Sequence, residues 1–302
     1  MTTSIKTSPI SDQLGSIVSP GNGNKVLDMS SADQIVDLFK NRGLLLFRGF
    51  DLSQEGFIKF TEQLTPNFMD YSGGAYARES IGGDETVLSV TGNRQFFGVP
   101  FHGEMFYTQN RPSILWFYCV VPPVSNGETT VCDGVTVLEQ LSANTRRLFE
   151  EQEIKYIRHY SSKDWQGIYA TDDVATVAKT CAERNTKFTH FPEDNSISTE
   201  YQCSAVTTPL YLDKPAFVNN ILPVILQETK GNTHSLVRFS DDSKIPEEAI
   251  DDIQAVTDRL TLAVAWQAKD LVMVDNSRSM HGRHEFNDTQ RELNVRMSSN
   301  LF

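Results

Sequence analysis

This sequence predicts a mainly β protein with appended helices, built on a jelly-roll (double-stranded β-helix) core and spanning 1–302 as one domain. Three observations predict it. Short apolar runs closed by Gly, Pro or Asn recur from residue 43 to the C-terminus. Helical periodicity is strongest early in the chain, with the strand-like runs following it. No internal repeat or low-complexity tract interrupts the pattern.

Residues 1–25 are rich in Ser, Gly, Pro and Asn, which predicts a loose N-terminal arm. Ser30 and Ser31 offer a cap to a helix over 33–41. Gly43-Leu44-Leu45-Leu46-Phe47-Arg48-Gly49-Phe50 predicts a buried strand. A second helix is expected over 53–64, with Phe57, Phe60 and Leu64 on one face. From 66 to 100 the chain is Gly-rich and irregular, and a loop this long inside a compact domain is usually functional. Residues 113–121 are an apolar strand stopped by Pro122 and Pro123. Asn126-Gly127 marks a turn into a strand over 128–133, and 135–152 reads as helical. The stretch 153–205 mixes polar and aromatic residues without a clean period, and is expected to be an insertion supplying a lid or substrate wall. Strand character returns at 216–221, helical character over 247–264, and a strand over 270–276 leads into His281. Alternation over 291–297 predicts a last strand.

A net charge of −12 argues against nucleic acid and anionic membrane partners, which need basic patches. It leaves open an anionic small molecule, which responds to a local pocket. No run approaches 18 apolar residues, and Met1-Thr2-Thr3-Ser4-Ile5-Lys6 has no apolar signal region, so no membrane span and a cytoplasmic location are expected. Cys119, Cys132, Cys181 and Cys203 lack C-x-x-C spacing and read as free thiols in a reducing compartment.

His102-Gly103-Glu104 and the distant His281 carry the chemistry. On a strand, residues i and i+2 share a face, so His102 and Glu104 would point the same way. A second imidazole from another strand would complete two His and one carboxylate around a metal, the facial set of non-haem Fe(II) oxygenases, with positions left open opposite. With 6 His and 39 acidic residues, a His-x-acid triplet is expected about once by chance, so its weight comes from its surroundings. A Zn hydrolase could use the same ligands, yet no obvious general base sits beside the motif. His159, His190 and His234 have no matching acid and read as ordinary residues.

Those surroundings resemble a known family. Phe101-His102-Gly103-Glu104-Met105-Phe106-Tyr107, Pro112-Ser113-Ile114-Leu115-Trp116-Phe117-Tyr118-Cys119, Gly127-Glu128-Thr129-Thr130 and Asp275-Asn276-Ser277-Arg278-Ser279-Met280-His281-Gly282-Arg283 are similar to the 2-oxoglutarate-dependent oxygenases of the taurine dioxygenase group. The His-x-Glu form matches its clavaminate-synthase-like branch, and Tyr71-Ser72-Gly73-Gly74 and 44–50 are also similar; the resemblance covers roughly 40–300. It implies that His102, Glu104 and His281 bind Fe(II), and that 2-oxoglutarate and O2 are co-substrates. The far carboxylate of 2-oxoglutarate would meet an arginine fork and a threonine hydroxyl. Arg291, ten residues after His281, is the first choice, with Thr129 beside it; Arg296 is the second candidate. Members often carry two Arg four apart on one face, but Glu292 stands four before Arg296, so the choice stays open. Asn219, Asn220 and Tyr71 are candidate substrate contacts, with a turn or edge pair, or a structural turn, as the alternatives. Arg283 and His284 could orient ligands, and Phe106 and Tyr107 could wall the pocket or sit in the core. Arg111 and Arg278 are assigned no role.

The activity implied is hydroxylation of a small polar substrate, an amino acid or amino-acid-derived natural-product intermediate, free or carrier-bound, with release of succinate and CO2. Desaturation or cyclisation would use the same ligands. A non-catalytic jelly-roll metal-binding protein would have no need of the full set His102, Glu104, His281, Thr129 and Arg291. Related halogenases lack the carboxylate, so Glu104 predicts against halogenation.

Overall fold

A computed structural model describes residues 4–21, 23–69, 71, 74, 78–90 and 97–301. Ser72, Gly73 and Gly92 of the Gly-rich stretch lie outside the described residues. The chain runs β1 (Ile5–Pro9), β2 (Ser16–Pro20), α1 (Ala32–Arg42), β3 (Leu44–Phe47), α2 (Gln54–Leu64), β4 (Ser80–Ile81), β5 (Asp84–Ser89), β6 (Val99–His102), β7 (Ile114–Val121) and β8 (Thr129–Asp133). It continues through α3 (Gly134–Gln140), α4 (Ala143–Glu151), β9 (Ile154–Tyr160), α5 (Ser162–Tyr169), α6 (Val174–Glu183), β10 (Lys187–Phe191), β11 (Ser196–Cys203), β12 (Val206–Thr207) and β13 (Ala216–Phe217). It ends with α7 (Ile221–Thr229), β14 (Ser235–Phe239), α8 (Glu247–Arg259), β15 (Leu262–Val264), β16 (Leu271–Asp275), β17 (Ser279–Arg283) and β18 (Glu292–Ser298).

Two sheets make the jelly roll. The larger has the order β1-β2-β3-β16-β7-β18-β5-β4, the smaller β15-β8-β17-β6. Central strands of the larger sheet are covered on both sides, which is why they read as unbroken apolar runs. The two-residue period divides them cleanly. Leu44, Leu46, Leu115, Phe117, Val272 and Val274 face the core shared with the smaller sheet. Leu45, Phe47, Ile114, Trp116, Leu271 and Met273 face a second core, shared with residues of α1 and α2. Register agrees, since Val272 opposes Phe117 and Met273 opposes Trp116.

The two early helices form as local signals dictate. Ser53 caps α2 by accepting from the Gly56 N–H at 3.1 Å, and Phe57, Phe60 and Leu64 are buried. Phe57 stacks on Tyr118 with ring centroids 5.1 Å apart. Helix α1 ends at Gly43 in the left-handed region (φ 66), its N–H donating to the Phe39 carbonyl.

The structure corrects several expectations. The arm is not loose: β1 pairs with β2, and β2 runs parallel to β3, burying Val18 completely. An open sheet edge supplied the partner that composition could not show. The expected helix over 135–152 is two helices, because Ser142 starts a new one by accepting from the Thr145 N–H. The strand expected over 216–221 stops at Phe217, and Ile221 opens α7, where Pro223 is tolerated in the first turn. The 247–264 block divides into α8 and β15. Residues 153–205 are ordered elements: β9, β10 and β11 join β14 in a third sheet, β10-β11-β9-β14. Tyr160, Trp165, Val177, Cys181 and Ile197 form a small core of their own there. All four cysteines are free. Among the described residues no helix is long and apolar enough to cross a membrane.

Arg278, given no role by the sequence, is buried and ties three segments together. Its Nε donates to Asp133 Oδ1 at 2.8 Å, Nη1 to the Asn41 carbonyl at 3.1 Å and Nη2 to the Gln13 carbonyl at 3.1 Å. Arg278→Met strands the buried Asp133 carboxylate, a loss of about 3–5 kcal/mol. A fall in melting temperature of roughly 5–10 °C is expected by thermal denaturation; an unchanged Tm would mean that the pair contributes nothing.

Candidate metal centre

Strand pairing assembles the centre. β17 lies between β8 and β6 and sets His281 directly opposite His102, the ring centroids 4.3 Å apart. The strand expected to carry both His102 and Glu104 ends at His102, so strand alternation does not bring the carboxylate in. Glu104 sits in the turn that follows. Gly103 is required there: a Cβ would lie 2.4 Å from Phe106 Cδ2 and 2.7 Å from Val218 Cγ1. The Gly103 N–H donates to the Asn219 carbonyl at 2.9 Å, and Met105 takes φ 60.

Asn276 fixes this turn, a part sequence reasoning missed. Its Oδ1 accepts from the Glu104 N–H at 2.8 Å, while Nδ2 donates to the carbonyls of Glu104 (3.1 Å) and Pro112 (2.7 Å). One fully buried amide thus clamps the backbone on both sides of the carboxylate. The available signal was Asp275-Asn276, a polar pair closing the apolar run 271–274.

The three ligand atoms of His102, Glu104 and His281 lie within 4.8 Å of one another, the one such cluster among the described residues. His281 Nε2 is 3.6 Å from Glu104 Oε2. Ligands at roughly 2.1 Å from a metal in a facial set stand roughly 3 Å apart, so a divalent ion fits with a small contraction. The ionisation states of His102 and Glu104 already suit one. Burial, and then the His281 ring, push the His102 pKa down to about 4. Burial works to raise Glu104, but the Arg78 guanidinium and the two imidazoles outweigh it and hold the carboxyl well below the usual range. Two neutral imidazoles and one carboxylate are the forms that bind metal. His102 Nδ1 lies 2.9 Å from the Pro100 carbonyl, which keeps its proton there and leaves Nε2 as the donor. His281 Nδ1 is buried without a hydrogen bond, so the strand pairing and the Phe117 ring at 5.6 Å orient that imidazole instead. Arg78 Nη2 is 3.3 Å from both Glu104 oxygens, and its guanidinium lies over the Tyr71 ring at 4.2 Å.

Next to the cluster is a candidate anion cradle. Thr129 opposes Arg283 across β8 and β17, so both share the face of His281. Arg291, one residue before β18, is 2% exposed. Its Nε donates to the Gly127 carbonyl at 3.0 Å, whereas Nη1 and Nη2 are buried without any hydrogen bond. Burial, helped by the Arg283 guanidinium, lowers its pKa to about 10. Gly127, at φ 74, leaves room for the side chain: a Cβ would lie 3.2 Å from Arg291 Cδ. Trp266, also missed by the sequence reading, donates from Nε1 to Thr129 Oγ1 at 3.2 Å. Two orphan donors on a planar fork match a carboxylate, the end group that 2-oxoglutarate would present.

Arg296 is not part of this cradle. It opposes Trp116, on the sheet face that packs under α2. Thr61 Oγ1 and Thr86 Oγ1 accept from it at 2.8 Å, Glu62 and Asp84 lie at 3.4 and 3.7 Å, and the Phe68 ring stacks at 3.6 Å. A bulge between Glu292 and Leu293 shifts the register between the two arginines.

A cavity of about 340 Å³ opens over His102 and Glu104, walled by Tyr71, Tyr107, Tyr156 and Asn220. Asn220 Oδ1 is buried without a hydrogen bond, and the Asn220 N–H donates to Tyr156 Oη at 2.7 Å. Asn219 is not among the lining residues; its Oδ1 accepts from the Ile221 N–H at the start of α7. Phe106 belongs to the core, while Tyr107 reaches the cavity. Arg283 donates to the Phe97 carbonyl, and His284 pairs with Glu128 at the surface.

The family model "Taurine catabolism dioxygenase TauD, TfdA family" matches residues 6–297. A clavaminate synthase-like protein of Arabidopsis thaliana is 25% identical over 273 residues, covering 85% of this chain and 82% of its own. Dapdiamide synthesis protein DdaC of Enterobacter agglomerans is 23% identical over 269 residues, covering 83% and 81%. The crystal structure of PvcB from Pseudomonas aeruginosa matches with TM-score 0.62 at 18% identity, covering 97% of this chain and 91% of that one. PvcB is described as an Fe, α-ketoglutarate-dependent oxygenase from an isonitrile synthetic pathway.

Proposed function

Since the chain belongs to the TauD, TfdA family of dioxygenases, we propose that it uses Fe(II), 2-oxoglutarate and O2 to hydroxylate a C–H bond of a small polar substrate, an amino acid or amino-acid-derived natural-product intermediate. The observation that carries this reading is the pairing of a His102–Glu104–His281 cluster with the two orphan Nη donors of Arg291 on one side of the jelly roll. A metal alone would need only the first; 2-oxoglutarate needs both.

Bound iron and its co-substrates supply the oxidation, converting 2-oxoglutarate and O2 to succinate and CO2 while one oxygen atom enters the substrate. The chain's residues do the rest. His102 and His281 offer nitrogen donors, the His102 ring neutral, and Glu104 offers one negative charge kept ionised by Arg78. Arg291 and the Thr129 hydroxyl hold the far carboxylate of 2-oxoglutarate, which fixes its keto acid end toward the metal ligands. A divalent metal and Arg291 would bring three positive charges to meet the three negative ones of Glu104 and the 2-oxoglutarate dianion, and Arg78, paired with Glu104, adds one positive charge more. Tyr71, Tyr107 and Tyr156 shield the reacting C–H from water, and Asn220 Oδ1 is placed to accept from a substrate N–H.

The names of two relatives, a dapdiamide synthesis protein and an isonitrile-pathway oxygenase, support a natural-product substrate. Anaerobic titration of the protein with Fe(II) and 2-oxoglutarate tests the cofactors. A visible charge-transfer band of the metal–keto acid chelate is expected, followed by succinate release on admitting O2 with substrate. Fe(II) binding without that band would sink the reading.

A further inference from the structure

Among the buried guanidiniums, Arg278 and Arg296 pair with acids and Arg283 donates to the Phe97 carbonyl, whereas Arg158, like Arg291, has neither a hydrogen-bonded acid nor an ion pair beside it. Arg158 lies on β9, in the third sheet, and sequence reasoning passed over it because it stands in the aperiodic 153–205 stretch. It is 8% exposed and lines the cavity over His102 and Glu104. Of the other cations that line it, Arg78 pairs with Glu104, and Lys230 reaches over the Phe97 ring, its Nζ 5.9 Å from the centroid.

What holds Arg158 is aromatic. Its guanidinium lies 4.2 Å from the centroid of Tyr107 and 5.3 Å from that of Tyr160. Cation–π contacts use the faces of the plane and leave the N–H donors on its edge unspent. Those donors form a fork suited to a planar anion. Tyr156 is two residues back on the same face of β9, and its hydroxyl accepts from Asn220, whose Oδ1 is the unpartnered acceptor of the same cavity. One wall therefore offers a cation with no anion and, next to it, an acceptor with no donor.

We propose that Arg158 is the specificity-determining anchor for a free carboxylate on the substrate, with Asn220 receiving an N–H of the same molecule. The inference rests on the oxygenase reading and deepens it. It selects a free carboxylic acid over a carrier-bound thioester, because a thioester carbonyl bears no charge to match the guanidinium and leaves it buried and unpaired. The Arg291 fork holds the co-substrate and the Arg158 fork the substrate.

The test uses the full-length protein, Arg158→Gln and Arg158→Lys, each loaded anaerobically with Fe(II) and 2-oxoglutarate. The chelate band is read first; if the unaltered protein gives none, the oxygenase reading has failed, independently of this one. The probes are the standard L-amino acids and their N-acetyl derivatives, each beside its C-terminal primary amide, with perturbation of the band as the binding signal. An acid that perturbs the band is expected, its amide binding at least about 50-fold more weakly. Arg158→Gln should weaken the acid about 100-fold while leaving the acid no better than the amide, and Arg158→Lys should restore part of the difference. A merely structural arginine would affect acid and amide alike. Equal binding of acid and amide to the unaltered protein, an acid affinity within threefold of normal in Arg158→Gln, or no acid in the panel perturbing the band would each overturn the proposal.

Discussion

His281→Ala is expected to abolish the Fe(II)–2-oxoglutarate chelate while leaving the protein folded. The imidazole makes no side-chain hydrogen bond through Nδ1, and β17 is held to β8 and β6 by backbone pairing that alanine preserves. The melting temperature without metal should therefore stay close to normal. Metal binding should not. Losing an outer partner of a metal ligand weakens affinity about 10–100-fold, and losing a ligand should exceed that. At Fe(II) concentrations that saturate the unaltered protein, no band and no succinate are expected. The same holds for His102→Ala, whose ring is the other half of the facing pair. A retained band in either variant would show that the metal sits elsewhere. Carrying out the titration near neutral pH is safe from proton competition at His102, whose pKa of about 4 leaves the ring neutral.

Arg291→Met should weaken 2-oxoglutarate by a large factor and, without ligands, make the protein more stable. The first effect follows from stranding a buried carboxylate, about 3–5 kcal/mol, or two to three and a half orders of magnitude in affinity. Pyruvate carries the keto acid end but no far carboxylate, so it should bind both proteins alike. Equal 2-oxoglutarate binding by the two proteins would remove Arg291 from the cradle. The second effect follows from the two orphan donors. Burial lowers the pKa of Arg291 to about 10, so the protonated form is disfavoured in the folded state; that cost is fully present at every pH below about 10 and fades above it. Removing the charge should raise stability throughout the neutral range, by about 1 kcal/mol after the lost Gly127 contact is counted. A drop in Tm would mean that the guanidinium is satisfied in a way the folded chain does not show.

Legibility followed the range of the forces involved. Helix α2 was readable because its cap, period and buried face all lie within residues 53–64. The central strands β7 and β16 were readable because burial on both faces leaves them apolar up to Asp275, the last residue of β16. β1 and β2 were not, because what makes them strands is the edge of β3, not their own composition. Nor was Arg158, since β9 has a polar and aromatic face that serves the cavity and so shows no apolar alternation.

By itself the sequence determined the jelly-roll class, and it put forward His102, Glu104 and His281 as a metal-ligand set with Arg291 and Thr129 as the first choice of carboxylate partners. Each rests on residue types and spacings that chemistry restricts tightly. Tertiary structure alone decided the rest. Glu104 reaches the metal position from a turn clamped by Asn276, a contact across 172 residues that no local pattern encodes. Arg291 and Arg296 stand five apart and so take opposite faces by alternation, but only packing shows that one guanidinium keeps two orphan Nη donors while the other lies under α2 with several partners. A side chain's chemistry is written in its own residue, but its partners are set by strand register and burial, which depend on the whole chain at once.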